Sequence, residues 1–281
     1  MKGRRGQTPK SAQDFLGMRA AGQLAAQTLR SAGALVRPGV STEEINAHVH
    51  DFITSRGAYP SPLNYMGFPK SVCTSINDVI CHGIPSPKAV LAPGDIINID
   101  VTVTLKGYFG DTSRTFYVGE VPPAARLVTE VSEESTALGI AAVRPGGRIG
   151  DIGHAIQTYA EGKGCSVVRD FVGHGIGKVF HEEPAVPHYG KPGTGELLGI
   201  GLCFTIEPMI NGGPPGHRML QDGWTALTLD GSPSAQFEHT IGITSGGIEI
   251  FTALPDDPIA LRAKALGAPV LWPLLGETSA R

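Results

Sequence analysis

Cysteine pairs, long apolar runs and an excess of either charge are all missing from this 281-residue chain. Its four cysteines, Cys73, Cys81, Cys165 and Cys203, make no CxxC pair, which argues against a disulfide framework or a zinc knuckle. Three of them read as buried free thiols, with Cys73 set apart for the reason given below. No apolar run approaches membrane-spanning length, and Asp14 and Arg19 interrupt the only stretch that could serve as a secretory signal. The expectation is a cytoplasmic protein without a membrane partner. A formal net charge of −3 gives no ground for a specific nucleic-acid partner, although Lys2, Arg4, Arg5 and Lys10 make residues 1–11 a basic tail. Two common chemical motifs also fail. Val179 follows Lys178 where a phosphate loop needs Ser or Thr, and Pro184 breaks the HExxH pattern that His181-Glu182 begins.

What is present is an ordinary globular composition, 41% hydrophobic, with enough apolar mass for one large domain or two small ones. Ser41-Thr42-Glu43-Glu44 is a capping box, and Ile45, Val49, Phe52 and Ile53 at helical spacing predict a helix over about 42–56. Ala-rich stretches at about 12–35 and 124–143 each end at a Pro-Gly stop. Those stops align at an offset of 107 residues: Val36-Arg37-Pro38-Gly39 on Val143-Arg144-Pro145-Gly146, Ile45 on Ile152, Phe52 on Tyr159, Gly57 on Gly164. The same offset places Asp100 on Glu207, each at the end of an apolar strand-like segment. The chain reads as two similar α/β halves, about 12–120 and 121–252, that each deliver a carboxylate to a shared interface. Residues 253–281 form a C-terminal extension outside this plan, expected to dock a short helix or to remain mobile.

Alternation over 96–105 puts Asn98, Asp100, Thr102 and Thr104 on one face and Ile97, Ile99, Val101, Val103 and Leu105 on the other. With Lys106-Gly107 as a two-residue hairpin loop, Asp111 falls opposite Thr102 and diagonal to Asp100. Two carboxylates at such a diagonal, about 7–8 Å apart in the backbone, repel unless they share a proton or a cation. Further donors accumulate downstream: His174 and His181 across a glycine-rich turn, Glu207 in Phe204-Thr205-Ile206-Glu207-Pro208, and Glu238 in the strand-like stretch 234–241. A cation suits this set better than a shared proton.

Seven strings carry a resemblance: Ser71-Val72-Cys73-Thr74-Ser75-Ile76-Asn77, Cys81-His82-Gly83-Ile84-Pro85, Asn98-Ile99-Asp100-Val101-Thr102, Gly110-Asp111-Thr112, Gly173-His174-Gly175-Ile176-Gly177, Phe204-Thr205-Ile206-Glu207-Pro208-Met209 and Gln236-Phe237-Glu238-His239-Thr240. In order and spacing they resemble bacterial-type (type I) methionine aminopeptidases, over about residues 12–252. The resemblance implies an α/β (α+β) pita-bread fold, two pseudo-symmetric α/β halves around a curved antiparallel sheet, and a catalytic domain over 12–252. It implies two divalent metal ions, with Asp111, His174, Glu207 and Glu238 on one and Asp100, Asp111 and Glu238 on the other. The donor set does not discriminate among Co, Mn, Fe, Zn and Ni.

The implied reaction is removal of the initiator methionine from nascent polypeptides with a small second residue, by a water or hydroxide held between the metals. Glu207 would shuttle the proton. His181 would hydrogen-bond the substrate around the scissile peptide, and His82 would contact its amide nitrogen. Tyr65, Phe68, Cys73, Phe180 and Trp224 would form the methionine pocket, where aromatic rings and a thiol suit a thioether. Phe68 stands where the family commonly has tyrosine, and Pro62 where it has cysteine. The implied partners are nascent N-termini, with transient ribosome contact, and the chain is expected to be a monomer. A proline-directed enzyme of the same fold is the second enzymatic reading, though only about ten residues precede the first helix. A metal-free binding protein is a third; all five ligand positions hold competent donors, which counts against it.

Overall fold

The computed structural model describes residues 9–273, so Lys2, Arg4 and Arg5 of the basic tail and the end of the C-terminal extension lie outside the described residues. Helix α1 (Ala12–Gly33) starts at a capping box between Ser11 and Asp14, and α2 (Thr42–Thr54) at one between Ser41 and Glu44. In each, the serine hydroxyl accepts an amide of the first turn while the acid accepts the cap amide. Their second-half counterparts are α3 (Pro123–Ala142) and α4 (Ile149–Gly162). The 107-residue offset recurs in long-range contacts. Ser41 bridges Val90 as Arg148 bridges Leu197. The Gly39 amide donates to the Leu91 carbonyl at 2.8 Å, and the Gly146 amide to the Leu198 carbonyl at 2.9 Å. Gly39 and Gly146 both sit in the left-handed region, φ +88° and +83°, where a side chain would be strained. Chance repetition of Pro-Gly punctuation would not reproduce these paired bonds.

In the first half the strand Ile96–Leu105 returns through Lys106-Gly107 as Tyr108–Tyr117, in the register that sets Thr102 opposite Asp111. Cys73–Ile76 pairs on its other side, placing Cys73 opposite Asp100. In the second half Cys203–Ile206 lies between His239–Ile243 and Gly173–Gly175, with Glu182–Val186 beyond the latter. Pairing is antiparallel in both sheets except at the outer strand Val270–Trp272, which runs parallel to Ile248–Ile250. Each half has its own apolar core. Ile97, Ile99, Val101 and Val103 bury against residues of α1 and α2, including Leu24 and Ile45, and Phe204 and Ile241 bury with Val128 and Ile140 of α3 and Ile152 of α4. Each such side chain contributes about 1.5–3 kcal/mol by leaving water. With the apolar alternates turned to the helices, Asn98, Asp100 and Thr102 are left on the inner face.

The inner edges of the halves are sewn together by hydroxyls. Thr240 Oγ1 accepts from the Asp111 amide at 3.1 Å and donates to the Asp111 carbonyl at 2.8 Å. Thr115 Oγ1 does the same for Gln236 from the opposite side, at 3.1 and 2.9 Å. Between them the Glu238 amide donates to the Ser113 carbonyl at 3.0 Å, and Thr112 Oγ1 donates to the Glu238 carbonyl at 2.7 Å. Side chains thus replace an ordinary ladder, and both Asp111 and Glu238 belong to the seam. This also corrects the single strand expected over 234–241: it breaks into Ser234–Gln236 and His239–Ile243, because Glu238 bonds through its amide to Ser113 and through its carbonyl to Thr112 of the neighbouring half, while the Phe237 carbonyl accepts from Thr136 of α3.

The described part of the C-terminal extension is docked. Helix α5 (Pro258–Ala265), capped by Asp257, buries Ile259, Ala260 and Ala263 in the second-half core, and Arg262 pairs with Glu134 of α3 at 2.6 Å. Among the described residues no helix is long and apolar enough to cross a membrane.

The seam makes a stability prediction. Thr240→Val keeps the shape but strips the Asp111 amide and carbonyl of their partner, so denaturant unfolding should show a loss of at least about 1–3 kcal/mol. A loss below about 0.5 kcal/mol would mean that the hydroxyl bonds do not hold the halves together.

Candidate metal centre

Asp111, a buried residue on the inner face of the hairpin, accepts Thr102 Oγ1 at 2.6 Å on Oδ1. Its Oδ2 stands 3.6 Å from His174 Nε2. Asp100 lies on the partner strand, and its Oδ1 is buried with no hydrogen-bond partner. Glu238 enters from the strand break at the seam, also buried. Glu207 follows the strand Cys203–Ile206, which stops because Pro208 has no amide to continue the ladder. Its Oε1 accepts Thr205 Oγ1 at 2.6 Å and its Oε2 accepts Gln236 Nε2 at 3.2 Å.

His174 sits in the strand Gly173–Gly175, whose glycines are sterically required: a Cβ would lie 2.5 Å from the Thr205 carbonyl oxygen at Gly173 and 2.3 Å from that of Glu183 at Gly175. The Gly175 carbonyl, 3.0 Å from His174 Nδ1, can only accept, so in the neutral ring the proton is on Nδ1 and Nε2 carries the lone pair that a cation would use. Nε2 is 3.6 Å from Asp111 Oδ2 and 3.6 Å from Glu207 Oε1.

One donor atom each from Asp111, His174 and Glu238 fit within 4.8 Å of one another. The protein alone is a poor host for this much charge. Burial, then the Asp111 and Glu207 charges, push Asp100 well above the ordinary carboxylate range. Burial, then Asp111, Glu207 and Asp100, do the same to Glu238. Burial raises Glu207 to about 7, with His174 opposing. At His174 burial works against charge, but Asp111 and Glu207 prevail and raise it to about 9. Four buried carboxylates facing one imidazole, one of their oxygens unpartnered, fit a divalent cation of the oxygen-and-nitrogen-binding kind.

All twelve residues singled out from the sequence line one cleft of about 710 Å³: Tyr65, Phe68, Cys73, His82, Asp100, Asp111, His174, Phe180, His181, Glu207, Trp224 and Glu238. Pro62 lines it as well. His181 stacks on Phe180 with ring centroids 4.1 Å apart, and its Nδ1 lies 2.8 Å from the Tyr65 hydroxyl, a partnership the sequence did not suggest. Burial, then His174, lower His181 to about 4; burial also lowers His82. His82 occupies a left-handed conformation, φ +56°, and is gripped edge-on by Phe171 at 5.6 Å and Trp224 at 6.2 Å. Cys81 lines the cleft beside Cys73, so two of the four buried thiols face it.

Several neighbours escaped sequence reasoning. For Thr102 and Thr205 it was only the hydrogen bonds to the acids that escaped, since register already sets one opposite Asp111 and the other two residues before Glu207. His188 carried no local signal. Wholly buried, it accepts the Glu207 amide on Nε2 at 3.0 Å, and burial holds it neutral, down to about 3.

The profile of metallopeptidase family M24 matches residues 17–245. The chain belongs to family M24. Within M24 it is 58% identical over 235 residues to methionine aminopeptidase A of Synechocystis sp., covering 84% of this chain and 93% of that protein. It is 56% identical over 243 residues to the methionine aminopeptidase of Rickettsia prowazekii, covering 86% and 93%. The crystal structure of methionine aminopeptidase from Rickettsia prowazekii superposes with a TM-score of 0.86 at 54% identity, over 88% of this chain and 99% of that one. The chain has the M24 pita-bread fold, with its two halves facing each other across the cleft.

Proton linkage gives a prediction for the metal-free M24 chain. Glu207, Asp100, Glu238 and His174 all titrate above their ordinary values in the folded state, so the native form holds extra protons that are lost as pH rises. His82, His181 and His188 act oppositely, but only below their ordinary value of 6.5. In chelator, melting temperature should therefore fall between pH 6.5 and 9, the window set by His174, with the contribution of Glu207 already lost by about 7. Saturating Mn²⁺ should flatten that fall. A metal-free profile that rises across the window would contradict the electrostatic account.

Proposed function

We propose that the chain is a type I methionine aminopeptidase, removing the initiator methionine from nascent polypeptides whose second residue is small. The observation that carries this reading is the placement of a carboxylate-and-imidazole cluster inside an aromatic cleft, in a chain 58% identical to a protein named for that activity. Asp111, His174, Glu207 and Glu238 would hold one divalent cation, and Asp100, Asp111 and Glu238 a second. Bound there, cations supply Lewis-acid polarisation of the scissile carbonyl and lower the pKa of water.

The remaining work belongs to side chains. Glu207, oriented by Thr205 and Gln236 and pushed towards neutrality, is poised to take a proton from water and pass it to the leaving amine. His181 is neutral near pH 7, and its contact with Tyr65 through Nδ1 leaves Nε2 for the substrate peptide. His82, also neutral, can meet the amide nitrogen of the scissile bond. The methionine side chain would lie among Tyr65, Phe68, Cys73, Phe180 and Trp224. Phe68 packs edge-on against Trp224 at 5.2 Å, and in place of a tyrosine it brings no hydroxyl to this wall. A cytoplasmic location and transient ribosome contact follow from the proposed substrate rather than from the fold, and a monomeric state is part of the same reading by resemblance.

The direct assay is release of methionine from Met-Gly-Met-Met by the purified protein loaded with Mn²⁺ or Co²⁺. Release from this peptide and not from Met-Leu peptides is expected, and no release from either would refute the proposal. His181→Ala should lower kcat/KM by about 10- to 100-fold, the worth of a hydrogen bond to a charge-developing substrate, with metal content unchanged.

A further inference from the structure

The residues that carry Phe180 and His181 to the cleft form a loop with little backbone support. Strand pairing ends at Gly175 and resumes at Glu182, opposite it. Between them the outside bonds are the Ile176 amide to the Cys203 carbonyl at 3.1 Å and the Phe109 amide to the Gly177 carbonyl at 3.0 Å; the Gly177 amide turns back onto Val179. Four residues are thus left to side chains at the point where His181 must be held.

The N-terminal segment supplies them. The Lys10 amide donates to the Gly201 carbonyl at 2.9 Å, anchoring the backbone. Its ammonium pairs with Glu182, next to His181, and both side chains are largely shielded from water. The lysine stem crosses Gly177 so closely that a Cβ there would lie 2.5 Å from Lys10 Cε. One turn further on, Asp14 Oδ1 pairs with Lys178 Nζ at 2.7 Å and accepts the Tyr108 hydroxyl at 3.0 Å.

The charges are arranged reciprocally. The N-terminal segment offers a cation and then, four residues on, an anion; the loop offers a cation and then, four residues on, an anion. Crossed pairing satisfies all four, whereas the same segments laid side by side in the opposite relative direction would oppose Lys10 to Lys178 and Asp14 to Glu182. Like charges placed face to face disfavour that arrangement, in addition to what the attractive pairs contribute.

We propose that Lys10 and Asp14 are positioning residues for His181: their ion-pair clasp fixes the 176–182 loop, so that a segment 172 residues away in sequence sets the substrate-facing imidazole without touching substrate. The proposal rests on the aminopeptidase reading for its catalytic consequence, but the clasp itself is measurable without activity.

Three variants test it: Lys10→Ala, Lys10→Arg, and Lys10→Ala combined with His181→Ala. Hydrogen exchange of the 176–183 amides should quicken in Lys10→Ala whether or not the protein releases methionine, and unchanged exchange would overturn the clasp. In the active enzyme Lys10→Ala should lower kcat/KM by about tenfold with unchanged Mn²⁺ affinity, and Lys10→Arg should restore it. In the His181→Ala background the Lys10→Ala effect should shrink to about twofold, because the group being positioned is gone. A full tenfold loss in that background, or a loss that Lys10→Arg does not repair, would overturn the positioning role. Absence of methionine release from the unmodified protein would count against the function and leave the exchange result to judge the clasp.

Discussion

Buried like charges must be neutralised, and in this chain that requirement falls on Asp100, Asp111, Glu207 and Glu238, which share one imidazole among them. Protons can do it, and the raised values of Glu207 and His174 describe that metal-free compromise. A divalent cation does it better, because it satisfies the unpartnered oxygen of Asp100 and frees the acids to act as bases. Asp100 and Asp111 come from one hairpin of the first half and Glu207 and Glu238 from the second half, so the cluster exists only when both halves are folded and in register. A cation bound by the folded form alone therefore adds to its stability by mass action.

The scaffold meets this requirement by making the seam itself polar. Apolar alternates of the central strands leave for the two helix-covered cores, and threonine hydroxyls fill the boundary between the halves. Thr240 and Thr115, acting from opposite sides, give the boundary a fixed register, and Asp111 and Glu238 are carried by that register. His188 adds a second restraint by holding the Glu207 amide at the point where Pro208 ends the ladder. Two of the ligating candidates are thus fixed through their own backbones, which limits the reorganisation that metal binding would require.

Legibility followed sequence distance. The Asp100–Asp111 convergence was readable because a two-residue hairpin with strict alternation has one plausible register. Glu207 was readable as the counterpart of Asp100 because the duplication preserves turn glycines, and the paired bonds at Gly39 and Gly146 repeat that offset in three dimensions. His174 and Glu238 rested on resemblance. The break at Phe237-Glu238 had no local cause, since the bonds responsible come from Thr112 and Ser113 in the other half. Lys10 looked like one more charge in a basic tail, because nothing near it in sequence reveals Glu182. Tyr65 was placed in an apolar pocket wall, and its hydroxyl contact with His181 emerged only from the folded chain.

Equilibrium dialysis of chelator-stripped protein against Mn²⁺ decides whether this carboxylate cluster is built to hold divalent cations. The account predicts retention of two ions per chain at saturation, falling to one in Asp100→Ala and to none in Asp111→Ala with Glu238→Ala. A stripped protein that refolds fully yet retains no Mn²⁺, or whose uptake is indifferent to these substitutions, would contradict it.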